Sequence, residues 1–411
     1  MENCIAIIGY NNTRINDVKT ICSIIKNDYN SKTLLIKDYL TEDDKAVTDY
    51  FFEQNLISND SLKVNSYLQE NNLKLIGVLP FSDRGVVLGA ALAKSNNLFH
   101  DQGEIYAEAS VHKNVFRQLE KQFTTPNWYK KVDSKLIYTF KEAENFLETH
   151  GEMFIKPTSE GNSRGCMAIK NKNDLNIWFK QYSDYLIDGV ICETLIDGIQ
   201  EYSYDNVGEL EWITEKQTTD GPYKAEYNHI APAPIDDELY ERLLQAGRLI
   251  KQIIGSNDIA NHIEMFLNRD GTISCVEPNR RPAGGKVFSF GNIIFNLGDY
   301  DVWKIWISKV TNPKLSHKFK QNNKIAGFRF IRPFQNITIN SDKNVIIDKL
   351  LNKYSENIEI IELTFNKGDT TNTELKTNAN FIGQVLVNGD NYDEVNNLLD
   401  DIEKYINSEI K

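Results

Sequence analysis

His262-Ile263-Glu264-Met265-Phe266, followed by Val276-Glu277-Pro278-Asn279-Arg280-Arg281-Pro282-Ala283-Gly284-Gly285, decides how this chain is read. Between the two segments lies Arg269-Asp270-Gly271, and Asp-Gly is a strong hairpin turn signal. Strands His262–Leu267 and Thr272–Glu277 therefore pair as a hairpin. If they pair in register, Glu264 and Glu277 point to one face, because side chains alternate with period two. Asn279, two residues beyond Glu277, stays on that face. Two like charges a few ångströms apart are costly without a cation. Carboxylate and amide oxygens are hard ligands that suit Mg²⁺ bridging phosphate oxygens, and an arginine here, Arg280 or Arg281, suits an anionic substrate or intermediate. The competing reading, a polar hairpin facing solvent, fits poorly with the apolar neighbours of both glutamates.

Working back from this hairpin, Lys156-Pro157 ends a strand (Met153–Lys156) before the polar stretch Ser159-Glu160-Gly161-Asn162-Ser163-Arg164-Gly165. Glycines let backbone N–H groups approach phosphate oxygens, and Lys156 can neutralise an α- or β-phosphate. The stretch is not a Walker A loop: G-K-[ST] is missing, and a strand (Cys166–Lys170) follows instead of a helix. A surface hairpin with a glycine turn is the alternative here. Glu193-Thr194-Leu195-Ile196-Asp197-Gly198 and Glu201-Tyr202-Ser203-Tyr204-Asp205 offer strand-end backbone for an adenine edge and a carboxylate for ribose hydroxyls. An edge strand with a solvated acidic turn would look the same.

The wider chain sets the frame. Its 411 residues point to several domains, and 41% hydrophobic with 25% charged residues is ordinary for a globular protein. A net charge of -12 argues against nonspecific nucleic-acid or anionic-membrane binding. The five cysteines are scattered without a C-x-x-C pair, which gives no disulfide framework or zinc site and fits a reducing cytoplasm. Cys166, Cys192 and Cys275 read as buried packing residues in apolar strands. No apolar run reaches membrane-spanning length, and the N-terminus lacks the basic start of a signal peptide.

Strand and helix alternate through residues 1–105 (strands Ile5–Ile8, Leu34–Ile36 and Leu75–Leu79, helices Val18–Ile25 and Gly85–Ala93), which predicts a parallel, Rossmann-like sheet. Gly9-Tyr10-Asn11-Asn12 lacks the dinucleotide fingerprint. The spacing of Leu239, Leu243, Ala246, Ile250 and Ile253 predicts a long amphipathic helix. Strands Ile325–Ile331, Ile358–Leu363 and Phe381–Asn388 and a terminal helix close the chain.

Taken in order, these segments resemble the ATP-grasp superfamily, and within it the carboxylate–amine ligases, including bacterial L-amino-acid (dipeptide) ligases. The resemblance implies an α/β and α+β multidomain fold: a Rossmann-like domain (1–105), a linker helix and lid (106–195), a central domain with the metal and substrate site (196–320) and a C-terminal α+β region (321–411). It implies that Lys113 and Lys156 contact the phosphates, and that Ser159, Glu160, Gly161, Ser163 and Gly165 belong to the loop covering the triphosphate. By the same likeness Glu193 and Leu195 sit at the adenine hinge and Glu201 at the ribose, although Ile199-Gln200 lengthens the spacing before Glu201 by about a residue. Glu264, Glu277 and Asn279 match the metal ligands, and Arg281 matches the arginine that stabilises acyl-phosphate and tetrahedral oxyanions. Glu226-Tyr227-Asn228-His229 is similar to the segment whose Glu226 and His229 would contact amino-acid substrates, with Gly284 nearby. His262 reads as a packed residue beside the ligands.

The implied activity is ADP-forming ligation of a small carboxylate to an amine, both expected to be amino acids, through an acyl phosphate. It would use ATP and Mg²⁺, with Mn²⁺ as a substitute, in the cytoplasm, with no nucleic-acid or membrane partner and a homodimer among the open assembly states. Two alternatives remain: another chemistry of the superfamily (a bicarbonate-dependent carboxylase or a purine-pathway ligase) and a non-catalytic nucleotide-binding protein.

Overall fold

A computed structural model describes all residues except 59, 100–103, 159–163, 220–224, 258, 317 and 376–379, with 104 and 105 described as backbone only. The N-terminal strands β1 (Glu2–Ile8), β2 (Lys32–Lys37), β3 (Tyr50–Glu53) and β4 (Leu73–Pro80) form a parallel sheet in the order β3-β2-β1-β4. Its central strand is apolar on both faces because helices cover both. Ile5 and Ile7 pack with Val18, Ile21 and Ile25 of the helix Ile15–Tyr29, while Cys4, Ala6 and Ile8 pack with Leu88 and Leu92 of the helix Asp83–Ser95.

Next, β5 (Ser134–Ile137), β6 (Met153–Pro157), β7 (Met167–Ile169) and β8 (Val190–Thr194) make an antiparallel sheet in the order β5-β8-β6-β7. Helices Phe140–His150 and Lys172–Tyr182 pack on it, giving a separate core around Phe146, Ile155, Trp178 and Cys192.

The largest sheet carries the paired glutamates. It comprises β9 (Gly198–Val207), β10 (Leu210–Thr218), β11 (Glu226–Ala231), β12 (Ala260–Asn268) and β13 (Ile273–Asn279). After a two-stranded ribbon of β14 (Phe295–Asn296) and β15 (Lys320–Gln321), the C-terminal strands β16 (Ile325–Ile331), β17 (Ile358–Leu363) and β18 (Gly383–Gly389) join it. The order is β13-β12-β9-β10-β11-β16-β18-β17, so strands on both sides of residue 320 share one sheet.

One face of this sheet is apolar: Tyr202, Tyr204, Ile213, Ile263, Met265 and Cys275 pack against Leu243, Ala246, Ile250 and Ile253 of the helix Asp237–Ile253. That helix starts with Asp236 accepting from the Leu239 N–H and with Asp237 and Glu238 in its first turn, where the helix dipole favours negative charge. A Cβ at Gly247 would stand 2.1 Å from the Tyr204 ring, so glycine is what lets the helix lie this close to the sheet. Because alternate residues of the same strands point the other way, the opposite face is polar over β9–β13. An aromatic group of Phe81, Phe288, Trp303 and Trp306 joins the N-terminal sheet to this body.

Candidate active site

The β12–β13 hairpin pairs Glu264 with Glu277 and His262 with Asn279, with a register shift just past Glu264. These four side chains therefore share the polar face. Asn279 is 1% exposed, and both polar atoms of its amide lack a hydrogen-bond partner among the described residues. Leaving a buried amide unsatisfied costs on the order of 1–3 kcal/mol, which a bound cation on the amide oxygen would relieve in part. Two carboxylates and that oxygen form a donor set that fits a hard divalent ion. Lys113, first residue of the helix Lys113–Gln122, reaches Glu277 at 2.7 Å, and its N–H donates to the Thr158 carbonyl just beyond β6. Burial alone would lower the Lys113 ammonium, but Glu277 raises it above its ordinary value, so it stays charged.

Across β9, β10 and β11 the polar face continues into a single ion cluster. Lys216, on β10, has a side chain 0% exposed and meets Glu201 at 2.9 Å, Glu226 at 2.6 Å and Glu264 at 2.9 Å. One oxygen from each of the three carboxylates lies within 4.8 Å of the others. Burial pushes the Glu201 carboxyl up to about 7 despite Lys216, with Glu226 and Glu264 adding to the rise. Burial opposes ionisation of Glu226 and Glu264 too, yet Lys216 brings Glu226 to about 2 and, with His262, holds Glu264 well below the usual carboxylate range. His262 is 2.7 Å from the buried Asp205 and 3.3 Å from Glu264. Burial would lower its imidazole, but Asp205 and Glu264 raise it to about 9.

Glu226 and His229 lie three apart on β11, a spacing that sends side chains to opposite faces of a regular strand. A register shift at Gln217/Thr218 adds a residue to β11 and brings both to one side, with His229 Nε2 3.1 Å from Glu226.

Residues 150–289 match the family model of an ATP-grasp domain. That stretch, about a third of the chain, is similar to ATP-grasp domains. Its sequence is 26% identical over 181 residues to a D-alanine–D-alanine ligase of Wolbachia pipientis wMel, covering 42% of this chain and 54% of that one. It is 23% identical over 181 residues to an alanine–anticapsin ligase of Bacillus subtilis, covering 38% of each. The matches thus span about half, or less, of the length of these curated relatives. An L-amino acid ligase from Bacillus licheniformis shares the fold over 98% of this chain and 97% of its own, with TM-score 0.77 and 15% identity.

Within the matched stretch and its flanks, the other expected residues fall as follows. Lys156, the penultimate residue of β6, pairs with Glu193 at 2.8 Å. Arg117 donates to Glu193 (2.8 Å), Glu120 (2.9 Å) and the Cys275 carbonyl (2.9 Å), and Tyr129 donates to Glu120. Burial would raise Glu193, but Arg117 and Lys156 bring it to about 2. Leu195 follows β8 and is 36% exposed. Ser159, Glu160, Gly161 and Ser163 lie outside the described residues. Gly165 takes a left-handed conformation, and its carbonyl accepts from Trp178 Nε1 at 2.7 Å. Arg281 makes a two-pronged pair with Asp83 of the N-terminal part, at 2.7 and 3.0 Å. Gly284 faces open space: a Cβ there would meet nothing within 4 Å.

One expectation is overturned. Cys166 is not a buried strand residue; β7 begins only at Met167, and Cys166 is half-buried in the turn that Gly165 makes. Four site residues escaped the sequence reading: Lys216, Arg117, Asp83 and Asp205. For Lys216 a signal existed, since Trp212-Ile213-Thr214-Glu215-Lys216 has the residue types of a strand.

Proposed function

We propose that this chain is an ATP-dependent, ADP-forming carboxylate–amine ligase that joins two amino acids, or an amino acid and a related small metabolite, through an acyl phosphate. The observation that carries the reading is the β12–β13 face, where Glu264, Glu277 and the unpartnered amide of Asn279 converge beside Lys113. The names of the relatives, two ligases with alanine in their titles and an L-amino acid ligase, support amino acids as the substrate class.

A carboxylate is a poor electrophile, so it must first be activated. In this reading its oxygen attacks the γ-phosphorus of ATP, the bond to the β-phosphate oxygen breaks, and ADP leaves. Lys113 and Lys156 hold the phosphate oxygens, Gly165 and the loop before it lend backbone N–H groups, and Glu193, Leu195 and Glu201 position adenine and ribose. Glu264, Glu277 and Asn279 would hold Mg²⁺, or Mn²⁺ in its place, whose positive charge would offset that of the transferring phosphoryl group. Arg281, aimed by Asp83, then holds the acyl-phosphate oxygens while the amine, its ammonium form having lost a proton to solvent, attacks the acyl carbon; the C–O bond to phosphate breaks and phosphate departs, taking the nitrogen's second proton. Glu226 receives the incoming ammonium, His229 fixes the Glu226 carboxylate, and Gly284 leaves room for the substrate. Scattered free cysteines suit a cytoplasmic setting for such chemistry.

The test is ADP release by the purified chain with pairs of amino acids, read together with product mass. The proposal expects ADP in step with an amide product, and loss of both in Glu277→Ala. ADP formation that is independent of every amino acid, or untouched in Glu277→Ala, would refute it.

A further inference from the structure

Lys216 has no role in the reaction as written, yet among the described ion pairs no other lysine meets three carboxylates. Each of those carboxylates comes from a different strand: Glu201 from β9, Glu226 from β11 and Glu264 from β12. On the function proposed above, each also serves a different ligand: ribose, amine and metal. An ammonium at 2.6–2.9 Å from all three stands where a small cation would otherwise collect them. Coulomb attraction between a divalent ion and three carboxylates this close, in a buried setting, is strong enough to draw all three onto one ion. That would take Glu264 from Glu277 and Asn279, and Glu226 from the amine.

We infer that Lys216 is a positioning residue: its side-chain ammonium is a built-in cation that keeps a metal ion out of the Glu201–Glu226–Glu264 cluster, leaving Glu264 for the Glu277–Asn279 site and Glu226 for the ammonium group of the amine substrate. The inference rests on the proposed ligase reading for the tasks of the three glutamates, but the role of Lys216 is read without turnover.

The experiment is Mn²⁺ binding to the full chain without nucleotide, followed by electron paramagnetic resonance and calorimetry, for wild type, Lys216→Met and Lys216→Arg. Lys216→Met is expected to show a Mn²⁺ site that the wild type lacks, bound about tenfold or more tighter than any site in the wild type. Lys216→Arg, which keeps the charge, gains none. If Lys216→Met is poorly folded alone, Mn²⁺ should raise its melting temperature more than that of wild type. A Met variant with neither extra Mn²⁺ nor an Mn²⁺-dependent rise in melting temperature overturns the inference, as does an Arg variant that gains the same site. Wild-type ADP release with amino acids, run on the same preparation, reports separately on the ligase reading.

Discussion

Arg329 on β16, with Arg332 just beyond it, meets Asp400 and Glu403 of the terminal helix Tyr392–Glu409: two cations against two carboxylates. On β10 of the same sheet, Lys216 faces Glu201, Glu226 and Glu264, with His262 against Glu264 and His229 against Glu226. The C-terminal network is complete in itself and clamps a helix to the sheet. The cluster on β10 has surplus negative charge that its own lysine does not cancel. Buried like charges are held together only at a cost unless cations arrive, so the unbalanced region is the one we propose to receive ligands. The group around Arg117, Lys156, Glu193 and Glu120 is balanced in the same way as the C-terminal one, yet it borders the expected hinge.

The sharpest way to break this contrast is at the arginine beside the unbalanced face. Arg281→Ala should cut amino-acid-dependent ADP formation roughly 10²–10³-fold, the usual loss when one oxyanion donor is removed. It should leave the melting temperature nearly unchanged, and a steady-state assay with a thermal melt checks both.

The balanced clamp should answer in the opposite way. Glu403→Gln leaves Arg329 and Arg332 short of charge in a buried position and should cost about 3 kcal/mol of stability. The Mg²⁺ requirement of the surviving folded enzyme should not move. Urea denaturation gives the first quantity and a Mg²⁺ titration the second.

For the balanced hinge group the contrast appears as pH dependence. Glu193 has its carboxyl lowered from 4.5 to about 2 in the folded chain. Its contribution to stability is therefore fully present above pH 4.5 and is lost as pH falls toward 2, up to about 3 kcal/mol in all. Unfolding free energy measured from pH 6 down should slope through that window, and Glu193→Gln should flatten the slope. At the small end, the exposed pair Arg242–Glu238 belongs to neither network. Arg242→Ala should change stability by less than about 0.5 kcal/mol.

The contrast also explains what could be read from the sequence. The β12–β13 hairpin was legible because Asp270-Gly271 marks its turn and apolar residues flank both glutamates. The long helix Asp237–Ile253 was legible from apolar spacing and the parallel N-terminal sheet from strand–helix alternation, but β3 and the order of the strands were not. On β10 the strand left a signal but the direction of its charges did not: Lys216 and Glu215 look like solvent-facing residues until three carboxylates from other strands surround the lysine. The shift that turns Glu226 and His229 to one side depends on how β11 pairs with β10, a property of two strands together. Asp83 and Arg281 lie 198 residues apart in sequence, and only the packed fold makes them partners. Cys166 was misplaced because an apolar run was extended one residue past the turn at Gly165.

Anomalous scattering from Mn²⁺ in crystals grown with ADP reaches the central claim most directly. The account predicts a peak within metal–oxygen bonding distance of Glu264, Glu277 and the Asn279 amide oxygen, with the diphosphate between it and Lys156. A peak away from the β12–β13 face, or a nucleotide bound elsewhere on the chain, would contradict it.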